Sequence, residues 1–209
     1  MMTLYSVDSA NGHKAQIALE EAGLAYKLRA VNLEAGEHRT EAYRALNPFG
    51  KAPVLHDPEG PDGAPIALGE TLAICRYALE KGGGAGLATD ARGRAEEAMW
   101  SAAVASSVAM PFAMQFFATR LAPTPDPWLV ETMTSGCHAA LQVFETRLCD
   151  RPYVMGAAFG LVDCLFWPVV ATSAARLEGG LDRYPNLIAY RERVGARPAV
   201  RRAMARRPA

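Results

Sequence analysis

Along the first eighty residues the apolar positions change period several times, and each change predicts an element. Thr3 to Val7 is a short apolar run of strand length, and Asp8-Ser9-Ala10-Asn11-Gly12 behind it is dense in turn formers. Ile17, Ala18, Ala22 and Leu24 then recur at helical spacing, with Gly23 placed to close the helix. Tyr26, Leu28 and Ala30 alternate with polar neighbours as a half-buried strand does. Strand, helix and strand in about thirty residues make a βαβ unit whose right-handed crossover predicts two parallel strands. A further short helix is predicted over Thr40 to Leu46.

Ala52 to His56 and Pro65 to Leu68 flank Asp57-Pro58-Glu59-Gly60-Pro61-Asp62-Gly63, which suits a loose hairpin and predicts an antiparallel pair. Glu70 to Lys81 has the spacing of a closing helix. The resulting order, β-α-β-α-β-β-α, is that of a thioredoxin-like domain, expected over residues 1–82. Gly82-Gly83-Gly84-Ala85-Gly86 breaks the pattern, and residues 83–90 read as a linker. Helical periodicity then fills residues 91–209, at Arg92 to Thr119, Trp128 to Cys149, Leu161 to Leu177, Asn186 to Val194 and Pro198 to Arg206. The second domain is expected to be an all-α bundle.

Two uncharged stretches test that reading. Ala98 to Thr119 is long enough for a membrane span, but it carries Ser101, Ser106, Ser107 and Gln115 and is interrupted by Pro111. The second, Pro152 to Val162 continuing past the lone Asp163 to Ala175, contains Gly156 and Gly160 and then Asp163 and Pro168. Both are expected to be buried helices of a soluble protein. Of the 209 residues half are hydrophobic and 21% are charged, with 22 basic against 22 acidic side chains, so no overall field draws the chain to nucleic acid or an anionic membrane. Arg191 to Arg207 holds seven arginines and one glutamate, read as a solvated helical tail rather than a nucleic-acid site. Cys75, Cys137, Cys149 and Cys164 have no Cys-x-x-Cys spacing and read as buried free thiols, and the four histidines have no metal-ligand spacing, so no metal is expected. The Met1 to Asp8 stretch lacks the pattern of a secretory leader, and a cytoplasmic location is expected.

The first strand-to-helix turn is where a helix N-terminus can favour a thiolate. No cysteine stands there. Ser9 and Asn11 supply a hydroxyl and an amide instead, so a sulfur held at this turn must arrive on a ligand, and a hydrogen bond from Ser9 would raise its thiolate fraction.

Several segments, in this order, resemble the cytosolic glutathione transferases across nearly the whole chain. Ser9-Ala10-Asn11-Gly12-His13-Lys14 is similar to the active-site turn of the nu-class bacterial members. Gly36-Glu37-His38 through Asn47-Pro48-Phe49-Gly50-Lys51-Ala52-Pro53-Val54-Leu55 resembles the family's next stretch, Gly69-Glu70-Thr71-Leu72-Ala73-Ile74 its third, and Arg151-Pro152-Tyr153-Val154-Met155-Gly156 with Val162-Asp163 the loop and capped helix of its helical domain.

The resemblance implies that Ser9 activates the thiolate of glutathione, a co-substrate, with Asn11 in support. It implies that Ala52, before a cis Pro53, offers its backbone to the cysteinyl unit. Glu70 and Thr71 would hold the γ-glutamyl end, and His38 and Lys51 the glycine carboxylate. Met110, Phe112, Met114 and Phe117 would line an apolar pocket for a small hydrophobic electrophile, and a homodimer is implied. Ala10 and Ser9 depart from the nu-class Pro and Thr. Gly160 replaces the family's Ser or Thr three residues before Asp163, which removes half a capping box at a cost of a few tenths of a kcal/mol. Asp8 is expected to face solvent. Conjugation of glutathione to electrophiles is the first reading. A glutathione-dependent disulfide reductase and a non-catalytic binding module on the same fold are the alternatives.

Overall fold

The computed structural model describes residues 1–208. Ala209, the end of the expected helical domain, lies outside the described residues. The chain divides into two compact units, one of residues 1–87 joined by the chain from Ala196 onward, the other of residues 88–195.

In the first unit, β1 (Met2–Ser6), α1 (Ala10–Glu21), β2 (Tyr26–Ala30), α2 (Glu41–Leu46), β3 (Val54–Asp57), β4 (Ile66–Leu68) and α3 (Thr71–Lys81) follow the expected order, with a 3-10 turn at Glu37–Arg39. The sheet runs β2-β1-β3-β4. β1 pairs parallel with β2, Ser6 opposite Ala30, and antiparallel with β3, Tyr5 opposite Val54. β3 and β4 are antiparallel, with Leu55 opposite Leu68.

Burial drives this layer, since Leu4, Val54, Leu55, Ile17 and Ile74 are all essentially inaccessible. α1 is buried from Gly12 to Leu19, packed by α3 on one flank and by α9 (Pro198–Ala205) on another. Gly12 allows the close seat of α1 on the sheet. A Cβ there would stand 2.4 Å from the Val7 carbonyl and 2.5 Å from Ser6 Oγ.

The position of α9 differs from the sequence reading, which counted it in the helical domain of residues 91–209. Its apolar face, Ala199, Val200 and Ala203, is buried in the first unit. Its arginines answer acids on α1, as Arg197 pairs with Glu21, and Arg202 and Arg206 with Glu20. The segment is therefore not a solvated tail. Those acids stand some 180 residues upstream, so nothing local in the arginine run betrays them.

The second unit contains α4 (Ala91–Ala103), α5 (Ala109–Phe116), α6 (Pro127–Arg147), α7 (Leu161–Pro168) and α8 (Pro185–Gly195). Its core stacks Phe144 on Phe166 at 3.8 Å, with Trp100 edge-on to Phe144. Asp90 and Asp126 cap α4 and α6, accepting from Gly93 N and Leu129 N. Glu145 does the same for α8 from a distance, accepting the Asn186 and Leu187 amides.

Pro111 does not interrupt the helix as expected. It lies inside α5, directly after a wider π turn at Val104–Val108, and that turn absorbs the hydrogen bond a proline cannot make. The continuous Ala91–Leu121 rod is thus long and apolar enough to cross a bilayer by length and composition. Val104, Val108, Phe112 and Ala118 along it are buried in the helical unit.

Candidate functional site

Strand pairing gathers the candidate residues at one end of the sheet. Ser9 follows the C-terminal end of β1, Pro53 precedes the N-terminal end of β3, and Glu70 follows the C-terminal end of β4. The pairs Tyr5–Val54 and Leu55–Leu68 put these three chain ends side by side. All of them belong to the first unit.

At the first turn, Ser9 is the N-cap of α1, with Oγ accepting from Gly12 N at 3.1 Å. That bond uses a lone pair and leaves the hydroxyl proton available to another acceptor. Asn11 sits in the first helical turn with its side chain exposed. Unpaired amides of the α1 N-terminus add partial positive charge. Asp8 is exposed as expected, and His13 Nε2 lies 2.9 Å from its Oδ1. Burial pulls the His13 pKa down against the opposing pull of Asp8, so the ring is neutral at pH 7 and donates from Nε2.

The second wall is the loop from α2 to β3. The Ala52–Pro53 peptide is cis, as the family resemblance implies. Just before it, the Lys51 carbonyl accepts from Asn47 Nδ2 at 2.8 Å and from Tyr43 Oη at 3.2 Å. Asn47 Oδ1 also accepts from Phe49 N. The Lys51 side chain is exposed, and neither backbone polar group of Ala52 has a backbone partner among the described residues. Gly50 has φ +59, and a Cβ on it would come within 2.7 Å of the His38 carbonyl, so this residue brings His38 and Lys51 together. The His38 ring accepts from Arg39 Nε at 3.2 Å.

Glu70 forms the third wall. It precedes α3 with φ 58 and ψ 119, a left-handed backbone unusual for a residue with a side chain. Such strain, about 1–3 kcal/mol, persists where surrounding structure enforces it and points to a functional role. Gly69 before it lies against the Asn47 side chain, where a Cβ would meet Nδ2 at 2.9 Å. Asn47 thus braces two of the three walls. Sequence reasoning gave it and Tyr43 no role, although Asn47 stands in the quoted Asn-Pro-Phe-Gly-Lys run.

No cysteine stands at the first turn. Burial pushes Cys75 and Cys137 up to about 12, Cys164 is also buried, Cys149 just after α6 is exposed rather than buried as expected, and no disulfide joins any of the four among the described residues. Among the described residues no three His, Cys, Asp or Glu groups cluster as a metal would require. The site can therefore stabilise an anionic sulfur on a ligand and recognise a peptide-like backbone through main-chain groups.

In the helical unit, Met110, Met114 and Phe117 follow one flank of α5 and its continuation, with Met110 and Phe117 exposed. Phe112 stands on a different face of the helix. It projects from the face of Val108 and Pro111 and is buried with the core.

Comparison with known proteins matches residues 8–81 to the glutathione S-transferase N-terminal domain and residues 114–193 to its C-terminal domain. The disulfide-bond oxidoreductase YfcG of Escherichia coli is 31% identical, covering 98% of this chain and 94% of its own. Glutathione S-transferase 1 of Zea mays is 30% identical over 98% of this chain and 96% of its own. A glutathione transferase from Burkholderia graminis, solved with two glutathione molecules per subunit, superposes with a TM-score of 0.91 at 30% identity, covering 97% of this chain and 87% of that one.

Proposed function

The chain belongs to the glutathione S-transferase family, and from that premise we propose that it binds glutathione in its first unit and delivers the sulfur as a thiolate to a small hydrophobic electrophile. The observation that carries this reading is Ser9, an N-cap whose oxygen is spent on Gly12 N and whose proton is free for the sulfur. The thiol proton leaves to solvent, and the Ser9 hydroxyl donates to the resulting anion. Hydrogen bonds to a charged partner are worth about 1.5–3 kcal/mol. The sulfur then forms a bond to the electrophilic carbon while the leaving group departs with its electron pair.

The remaining residues have holding roles. Ala52 pairs its N–H and C=O with the cysteinyl unit, beside cis Pro53. Glu70 meets the ammonium of the γ-glutamyl end, and Thr71, at the start of α3, meets its carboxylate. His38 and Lys51 attract the glycine carboxylate, and Asn11 supports the sulfur. Met110, Met114 and Phe117 offer an adaptable apolar surface for the electrophile. A homodimer acting in the cytoplasm belongs to the same reading, supported by the family and by four cysteines that form no disulfide among the described residues.

A second reading, disulfide reduction, is favoured by the name of the Escherichia coli relative and by the two glutathiones in the Burkholderia graminis structure. With no cysteine at the first turn, both electrons would come from two glutathiones. One thiolate attacks a sulfur of the substrate disulfide and expels a thiolate. The second attacks the mixed disulfide, releasing the other thiolate and glutathione disulfide, and both leaving thiolates take up protons.

Calorimetric titration with reduced glutathione, followed by product analysis with a chloronitroarene and with a small dialkyl disulfide, separates the two. One glutathione per chain with thioether product supports conjugation. About two per chain with glutathione disulfide as product supports reduction, and no saturable binding overturns both.

A further inference from the structure

The arginines of the C-terminal segment form a graded series along α1. Arg197 grips both Glu21 oxygens at 2.7 and 2.8 Å, Arg202 Nε meets Glu20 at 2.8 Å, and Arg206 meets Glu20 at 3.0 Å while lying over the Tyr26 ring. These ion pairs fasten the segment to the C-terminal half of α1. Arg207, the next residue, reaches the opposite end of the helix, where its Nε is 3.7 Å from Asp8 Oδ2. Asp8 directly precedes Ser9.

The charge balance at that point has few members. Neutral His13 donates a hydrogen bond to Asp8 but adds no charge. Arg202 and Arg206 are committed to Glu20, and Lys14 is buried on α1, where burial pulls its pKa down. Among the described residues Arg207 is the full positive charge that faces Asp8.

We propose that Arg207 is a positioning residue for the thiolate: it offsets the Asp8 carboxylate beside Ser9 and so favours the anionic sulfur of glutathione at that turn. The inference rests on the Ser9 reading given above. Two like charges about 7 Å apart in water-like surroundings oppose each other enough to move a titration by about half a pH unit, and this effect is screened by salt. The C-terminal segment, distant in sequence from the active-site turn, thereby tunes the nucleophile without touching it.

The test is the ultraviolet thiolate band of bound glutathione, followed against pH in the full-length protein, in Arg207→Gln, in Asp8→Asn and in the double variant, at low and at high salt. Circular dichroism verifies that each variant is folded. The expected result is an upward shift of about half a unit for Arg207→Gln, a downward shift for Asp8→Asn, and a double variant close to the parent, with all four converging near 1 M salt. Coincident curves for Arg207→Gln and the parent at low salt overturn the proposal and leave Ser9 in place. A parent protein whose bound thiol titrates like free glutathione overturns the Ser9 reading, and this proposal with it.

Discussion

Asn47 donates its side-chain amide to the Lys51 carbonyl at 2.8 Å, and the same side chain lies against Gly69, the residue before the strained Glu70. One buried amide thereby sets the spacing between the loop that ends at Ala52–Pro53 and the turn that opens α3. Asn47→Ala leaves the Phe49 amide without its acceptor and the Lys51 carbonyl with Tyr43 alone. The expected cost is about 1–3 kcal/mol in stability, read by urea unfolding. Because the side chain shapes the binding walls rather than the sulfur site, KM for glutathione should rise while kcat at saturation changes little.

Ser9 has two jobs, which two substitutions separate. Ser9→Ala removes both the helix cap and the hydroxyl proton. Stability should fall by about 0.5–2 kcal/mol, and kcat/KM by roughly ten- to a hundredfold, the loss of one hydrogen bond to a charged sulfur. Glutathione affinity should hold, being spread over Ala52, Glu70 and Thr71. Ser9→Thr keeps cap and proton and should retain most activity. Steady-state kinetics beside calorimetry measure the split, and an Ala variant as active as the parent removes Ser9 from the mechanism.

How much of this was legible beforehand depended on whether the signal was local. The alternation at Tyr26 to Ala30 and the turn residues after Val7 announce their elements, and β2 and α1 lie where expected. The glycine between Phe49 and Lys51 and the acid before Thr71 carry no local instruction for their roles, which came from the family resemblance. Three features escaped because their causes are tertiary. The arginine run looks solvated until Glu20 and Glu21 are folded beneath it. Pro111 reads as a break because the π turn that accommodates it has no compositional mark. Phe112 shares a Met- and Phe-rich run with its neighbours, yet helix phase alone turns it inward.

Asp57 predicts the acid limb of stability. At the end of β3 its carboxylate, only 2% exposed, accepts from Tyr77 Oη at 2.6 Å, from Glu59 N at 2.9 Å and from Lys81 Nζ at 2.7 Å. Burial works against its charge, but these hydrogen bonds outweigh burial and hold its pKa below the ordinary carboxylate value. A depressed folded pKa means that the stabilisation is present above the unfolded pKa and is lost as pH falls through the folded one. Urea midpoints should therefore drop as pH falls below about 4. Asp57→Asn should lower stability at pH 7 and flatten that acid slope, and an unchanged slope would rule out Asp57 as its source.

Asp163 organises the start of α7 although Gly160 cannot reciprocate. Its Oδ2 accepts from Gly160 N at 3.0 Å, and its Oδ1 accepts from Val154 N and from Tyr190 Oη, each at 3.0 Å. This is the surviving half of a capping box, extended to a loop and to α8 inside a fully buried setting, where the side chain has 0% exposure. The missing Ser or Thr at Gly160 costs little because glycine is itself an acceptable N-cap, whereas the carboxylate satisfies three donors that water cannot reach. Asp163→Ala should cost about 3–5 kcal/mol, the scale for removing one member of a buried charged network, and lower Tm by roughly ten degrees. Asp163→Asn retains one acceptor oxygen and should lose less. Thermal melts of the two variants beside the parent give the order, and equal Tm values for the Ala variant and the parent would show that the three donors find other partners.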